Sequence, residues 1–468
     1  MRSALAAGRP SRRLFLLVLL LTIGSLAPVI TVQAANSNAA PALAIPDTPA
    51  GTQLTWALNQ INGGAGSLQV GDVSERFAAD FLAALPAASL ISVLQNLAGP
   101  LAPVAVARFE GGVTATRANA LLTTATGQTW RVQLGVEPNP PYRINDLFFE
   151  PVALPQPIDR APKSWKGLNS RLAKVAPEVS FVAAEVSDGA CKPLAQLNPN
   201  QPLGIASAFK LYVLGALAHQ IEQGKLTWDD PLTIQQNLKS LPNGDMRLEP
   251  DGARFPIRTY ADQMISNSDN TAADHLISLL GRETVEQFMP VMGHEEPALN
   301  QPLLLTREWF AIKLRFTPDE LASYLKQSEA SKRKVLREQV DPLANTLGDD
   351  EEWLNPADID TIEWFASAGD LCRAIAYLQN QATKPGMEPI ADALSLNPGV
   401  PWDTATWRYV GYKGGYETGV KSYVWLLQRA DGRWFALTAI INDPKQEIDG
   451  NTLRALMVTA VDLLAKTK

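Results

Sequence analysis

Two short runs, Ser207-Ala208-Phe209-Lys210 and Ser268-Asp269-Asn270, constrain this chain more than any other feature, because a fold must bring their hydroxyls and amine together for them to act. A serine hydroxyl attacks a carbonyl only after something removes its proton, and the three histidines (His219, His275, His294) stand outside any Ser/His/Asp arrangement. A lysine is left as the base. On a helix, residues i and i+3 share a face, so Ser207 and Lys210 are expected one turn apart with side chains in reach. The run Leu211 to Glu222 reads as a mostly buried helix closed by Gly224. The pair then falls in the first turn. There the positive helix end and partial burial both disfavour the ammonium form.

Context separates this motif from accident. Ser331-Lys332-Arg333-Lys334 has the same spacing but lies in a charged run and reads as a solvated face. Ser207 sits in apolar sequence, and Lys413-Gly414-Gly415 follows later on an expected strand. Taken alone, Ser268 and Asn270 would read as turn residues and Lys413 as a strand-edge lysine. The order of the three motifs carries the specificity.

Ser207-x-x-Lys210, Ser268-Asp269-Asn270 and Lys413-Gly414-Gly415 resemble the three signatures of the penicillin-recognising serine enzymes, closest to class A β-lactamases, over about residues 165–468. Val179 to Val186 followed by Ser187-Asp188-Gly189 is similar to that family's opening hairpin. The resemblance implies Ser207 as nucleophile, Lys210 as its base and Ser268 as proton carrier to the leaving group. It implies Asn270 as holder of a substrate amide and Lys413 as the group that polarises Ser268 and attracts a carboxylate. Backbone N–H groups of Ser207 and Tyr416 would form an oxyanion hole beside Gly415. Where relatives carry a hydroxyl after the lysine, this chain has Gly414, so carboxylate binding would pass to Thr418 or Ser422. Glu296-Pro297-Ala298-Leu299-Asn300 has the letters of the loop that bears a deacylating glutamate, at a shorter distance from Ser268 than the family would have it.

The implied function is hydrolysis of a β-lactam or related activated carbonyl through an acyl enzyme on Ser207. The alternatives are an esterase or D-alanyl-D-alanine peptidase of the same fold, or a non-catalytic β-lactam or cell-wall ligand-binding protein. The implied fold is α+β, an antiparallel sheet flanked by helices. The N-terminal part suggests a two-domain subgroup similar to the clavulanate-cluster serine hydrolases.

The rest of the chain supplies the setting. Residues 1–34 read as an export signal, with Arg2, Arg9, Arg12 and Arg13 before an apolar Leu14 to Leu21 core and Val32-Gln33-Ala34 as a cleavage site. Ser11-Arg12-Arg13 also resembles a twin-arginine signal. A secreted or cell-envelope location is expected, without a stable membrane span after cleavage. The 41 basic residues are outnumbered by 48 acidic ones, and four of the basic ones lie in that signal, which argues against nucleic acid as a partner and leaves a small-molecule substrate. No metal or cofactor is implied by the His and Cys spacing or by any glycine-rich phosphate loop. Whether Cys191 and Cys372 pair is left open.

Residues 35–50 read as a flexible leader. Residues 51–152 read as a separate α+β unit, helices first (Leu54 to Ile61, Phe77 to Leu82) and strands after (Val104 to Phe109, Ala120 to Thr124, Thr129 to Val136), similar to an NTF2 or ketosteroid-isomerase-like cone. Residues 153–164 are the expected linker, stiffened by prolines. The polar segment between Lys326 and Trp364 reads as a surface excursion.

Overall fold

The computed structural model describes residues 43–467, apart from 111–112, 125–127, 152–160, 242–243, 349–352, 354, 400–402 and 404. The expected export signal, the first half of the expected leader (to residue 42) and residues 153–160 of the expected linker lie outside the described residues, while Pro49 and Ala50, at the leader's end, already belong to the first helix. No helix among those described is long and apolar enough to cross a membrane.

The N-terminal region opens with α1 (Pro49–Asn62), α2 (Val70–Arg76), α3 (Ala79–Ala84) and α4 (Ala87–Leu101), then the antiparallel meander β1 (Val104–Phe109), β2 (Arg117–Thr124), β3 (Thr129–Val136) and β4 (Ile144–Pro151). Thr48 caps α1 by accepting from the Gly51 N–H, with Pro49 at the first helical position, a start signal legible in the sequence. Leu54, Ala57 and Ile61 recur at helical spacing and pack against Val106, Leu122, Val132 and Leu134 in a core of their own. The fourth strand, Ile-Asn-Asp-Leu-Phe-Phe-Glu-Pro, was not among those expected. Its Asn, Asp and Pro read as a turn, yet pairing along β3 from Val136↔Ile144 to Trp130↔Pro151 overrides that preference.

The C-terminal region is built on a five-stranded antiparallel sheet, ordered β11-β12-β13-β5-β6, from β5 (Glu178–Ser187), β6 (Ala190–Leu197), β11 (Trp407–Glu417), β12 (Val420–Arg429) and β13 (Trp434–Asn442). Along β13, Phe435, Leu437, Ala439 and Ile441 face α5 (Trp165–Leu172) and the closing helix α16 (Gly450–Ala465). Ala436 and Ile440 face the opposite layer, which holds α6 (Lys210–Glu222) and α14 (Ala368–Ala382). A strand buried on both faces reads as a continuous apolar run, and this one does. The helical lobe adds α7 (Ile257–Ser266), α8 (Asn270–Leu280), α9 (Arg282–Phe288), α10 (Thr306–Arg315), α11 (Pro318–Leu325), α12 (Glu329–Val335), α13 (Asp341–Ala344) and α15 (Glu388–Ser395). Two short ribbons complete it: β7 (Leu203–Gly204) with β10 (Phe365–Ala366), and β8 (Pro231–Thr233) with β9 (Arg254–Pro256). Mixed helix and antiparallel sheet is the architecture the motifs imply.

Helix α6 ends as expected. Gly224 takes φ +69°, its N–H donates to Ile221 O and the Lys225 N–H reaches back to Gln220 O. Cys191 on β6 and Cys372 on α14 form a disulfide that ties the sheet to the helix behind it. The segment from Lys326 to Trp364 is only partly the surface excursion expected: α12 buries nothing, but Leu336, Val340 and Ala344 join the main core and the segment's end is buried. Trp364 stacks on Phe209 with ring centroids 4.1 Å apart.

The two regions meet through polar contacts. Asn119 donates to Asp245 Oδ2 at 2.7 Å, Thr114 and Thr116 both donate to Glu249, and Arg108 donates to Asn397 Oδ1 at 3.3 Å. A cavity of about 910 Å³ follows this seam, lined by residues such as Thr116, Arg117, Lys239 and Glu249. The motif residues line a different cleft.

Candidate active site

The nucleophile turn is built from behind. Residues Ala206–Phe209 form one 3₁₀ turn that runs directly into α6, so Ser207 sits just ahead of the helix and Lys210 is its first residue. Ala206 is held at φ +44°, a left-handed conformation costly for alanine. Its N–H donates to Glu363 Oε2 at 2.9 Å, and the Ile205 N–H donates to Trp364 O at 2.8 Å. On the other side Ser422 donates to Ile205 O at 2.7 Å. Strand β11, at the sheet edge, runs so close that a Cβ on Gly415 would stand 2.2 Å from Ile205 O and 3.0 Å from Ser207 N. Only glycine permits that approach.

Lys210 is fully buried. Its Nζ lies 2.6 Å from both Ser268 O and Asn270 Oδ1, 3.1 Å from Ser207 Oγ and 3.3 Å from Ser268 Oγ. A neutral amine has two N–H bonds and one lone pair. The two shortest contacts take the N–H bonds, which leaves the lone pair for the Ser207 hydroxyl. Burial pulls the amine down to about 7, against the opposing charges of Asp269 and Asp274. Lys413, equally buried, donates to Ser268 Oγ at 2.9 Å and to Gly414 O at 2.6 Å. Burial, helped by the charge of Lys210, holds it well below the ordinary lysine range.

Ser268 therefore stands between two amines. Its own φ of +56° is left-handed. The turn is held by Asp269, which is fully buried and accepts from the Ala272 N–H and the Met246 N–H, both at 2.8 Å. Gly244, at φ +99°, passes so close to Asp269 that any side chain there would collide with the carboxylate.

Beneath the turn lies a group that sequence reasoning did not find. Lys313, wholly buried, donates to Glu417 at 2.7 and 2.8 Å, and Glu363 receives the Ala206 and Trp364 N–H groups on one oxygen. Burial, and then the adjacent Glu363, push Glu417 up to about 10. The other oxygen of Glu363 is buried and has no hydrogen-bond partner among the described residues, a place that a proton shared between the two carboxyls would fill. Lys, Glu and Glu so far apart in sequence give no local signal.

A cleft of about 420 Å³ opens over Ser207, Ser268, Lys413, Gly414, Gly415 and Tyr416, and the N-terminal region closes its other side with Glu110, Asn119, Arg131 and Gln133. Arg131 is clamped there by Glu110 at 2.5 Å and Glu150 at 2.6 Å.

Two expected residues are placed elsewhere, and a third, Asn270, stays in the site. Asn270 accepts from Lys210 on its oxygen and gives one of its two amide N–H bonds to Leu241 O. Thr418 donates to Trp353 O at 3.4 Å, outside the residues lining the cleft. Glu296 is exposed, and its segment packs the other way: Arg373 pairs with Glu295 at 3.0 Å and donates to Gly293 O, beside the depression over Cys191 and Cys372. The letters Glu-Pro-x-Leu-Asn matched, but the segment that carries them is anchored by Asn300 to Phe365 on the far side of β10. The decoy Lys334 is solvated, 3.9 Å from Glu338.

Residues 163–349 match the family model described as "Beta-lactamase enzyme family", and residues 45–139 match one described as "ORF 12 gene product N-terminal". A curated relative, the extended-spectrum β-lactamase PER-1 of Pseudomonas aeruginosa, is 28% identical over 108 residues, covering 22% of this chain and 35% of that protein. The chain thus spans about a third of the length of that relative. Among solved structures, a β-lactamase from Sphaerobacter thermophilus aligns with TM-score 0.46 and 16% identity over 65% of this chain and 99% of its own. PBP-A aligns with TM-score 0.44 and 14% identity over 68% and 100%. The family match supports a serine β-lactamase-like relationship for the C-terminal region.

Proposed function

We propose that this protein is an exported serine hydrolase that opens β-lactams or related activated carbonyls through an acyl enzyme on Ser207. One observation carries the reading: a desolvated amine whose nitrogen lies 2.6 Å from each of two acceptors and 3.1 Å from the Ser207 hydroxyl, so that its neutral form keeps a lone pair for that hydroxyl. Lys210 takes the Ser207 proton as the oxygen attacks the carbonyl carbon. The tetrahedral oxyanion is received by the backbone N–H groups of Ser207 and Tyr416, which Gly415 allows to approach each other. Ser268, hydrogen-bonded to Lys210 and Lys413, relays the proton to the leaving nitrogen or oxygen.

Glu296 has no part in this scheme. Among the described residues the carboxylate lining the cleft is that of Glu110, which is taken up by Arg131, so deacylation falls to Lys210 or is slow, which favours a second reading: an enzyme of the peptidase type that β-lactams acylate and hold. Export is supported by the Cys191–Cys372 bond, which persists in an oxidising compartment. The N-terminal region, helices laid on a four-stranded antiparallel sheet, is read as an NTF2-like partner that shapes the cleft.

Intact-mass analysis after exposure to a penicillin and a cephalosporin, with Ser207→Ala as control, tests the proposal. A transient adduct on the wild type alone is expected for a hydrolase, and a lasting one for the second reading. No adduct at any time would reject both.

A further inference from the structure

The turn that carries Ser268 is tied to the N-terminal region on both of its flanks. After Ser268, Asp269 accepts the Met246 N–H at 2.8 Å, and Met246 belongs to a segment that reaches the seam. Asn119 on β2 donates to Asp245 Oδ2 at 2.7 Å, one residue before Met246, while Thr114 and Thr116 both donate to Glu249, three residues after it. The single 3₁₀ turn Met246–Leu248 is thus held at both ends by the N-terminal region, with the Met246 side chain buried in the main core. Before Ser268, Asn397 donates to Ser266 O at 2.9 Å and accepts from Arg108 on β1 at 3.3 Å. Strands β1 and β2 are paired neighbours, so one pair of strands reaches the turn from two directions.

The turn needs such ties. Ser268 is left-handed at φ +56°, a conformation that a serine keeps only where its surroundings over-determine it. Its hydroxyl lies 2.9 Å from Lys413 Nζ and 3.3 Å from Lys210 Nζ, and its carbonyl oxygen takes a Lys210 N–H at 2.6 Å. A turn that relaxed would displace the proton carrier and an acceptor of the base in one movement.

We infer that the N-terminal region is a brace on the Ser268 turn, with Asn119 and Asp245 as positioning residues for the proton relay. This rests on the acyl-enzyme reading and gives the N-terminal region a task beyond shaping the cleft. Asp245 is outside the residues that line the cleft, so what it does for the reaction passes through the Met246 N–H and Asp269. The Asn119 N–H meets a carboxylate, the stronger kind of hydrogen bond, and losing either partner strands the other at the seam.

The test follows acylation of the full-length protein by a chromogenic cephalosporin in stopped flow, giving a maximal rate and a half-saturating concentration. Asn119→Ala and Asp245→Ala should each lower the maximal rate about tenfold and leave the half-saturating concentration within about twofold. The double alanine variant should be no more than about twofold worse than either single one, because the two side chains form one link. Asn119→Asp/Asp245→Asn exchanges donor and acceptor and should bring the rate back to within about threefold of the wild type, which a general loss of folding would not allow. An exchanged pair as slow as the alanine variants would overturn the brace, and so would a raised half-saturating concentration at an unchanged maximal rate. Variants as fast as an acylated wild type reject the brace alone; a wild type that is never acylated rejects the acyl-enzyme reading and the brace with it.

Discussion

The two walls of the cleft handle charge in opposite ways. On the C-terminal wall, Lys210 and Lys413 are buried without a carboxylate in contact, and their N–H bonds go to hydroxyls, carbonyls and an amide. On the N-terminal wall, Arg131 keeps about a third of its side chain in solvent and is clamped by two glutamates. Desolvation without compensation shifts an amine toward its neutral form, whereas an ion pair keeps a cation charged. One wall therefore holds amines suited to proton transfer, and the other a cation whose charge is already paired.

The sharpest way to break this contrast is to remove the base. Lys210→Ala should slow acylation of Ser207 by about 10⁴-fold, measured by stopped-flow mixing with a chromogenic cephalosporin. A loss below about tenfold would mean that another group takes the proton. Lys210→Arg should be nearly as poor, since a guanidinium stays charged.

The pH profile comes next. The working form of Lys210 is the deprotonated one, and burial sets its pKa near 7, so acylation should climb with pH and level off above about 7. Below that it should fall about tenfold for each pH unit. A profile flat from pH 5 to 8 would contradict a neutral-amine base.

Glu363→Ala should cost about 10- to 100-fold in acylation, because the Ala206 and Trp364 N–H groups lose their shared acceptor and the strained turn relaxes. Glu363→Gln keeps an acceptor oxygen and should restore most of the rate; if it is as impaired as the alanine, the proton shared with Glu417 matters more than the turn.

On the N-terminal wall the effects should be smaller. Arg131→Gln should change KM by about threefold to tenfold with kcat nearly unchanged, since an ion-paired, half-hydrated group contributes little to the chemical step. A large kcat effect would erase the distinction between the walls. Glu296→Gln should leave both constants within about twofold, and loss of turnover there would return that residue to the deacylation scheme.

Local spacing carried much of this molecule. Ser207 and Lys210 at i and i+3, the Gly224 stop of α6, the hairpin after Val179 and the N-terminal order of helices before strands were all legible, because each depends on contacts within one turn or one strand pair. The failures are long-range. Glu296 sits in a stretch with the right letters, but where that stretch packs depends on Asn300, Phe365 and Arg373, which no neighbouring residue announces. Asn270 is in the expected loop, and only the tertiary approach of Leu241 decides where one of its amide N–H bonds goes.

What the order of residues determined by itself is the chemistry available: a hydroxyl, an amine one turn away, a second hydroxyl and a second amine on later elements. What only the tertiary structure decided is the state of those groups. Register across β11 set Gly415 against the nucleophile turn, and the buried Glu363 held Ala206 in place. Proximity along a chain is fixed by bond geometry, but desolvation and the direction of a lone pair depend on everything that packs around them.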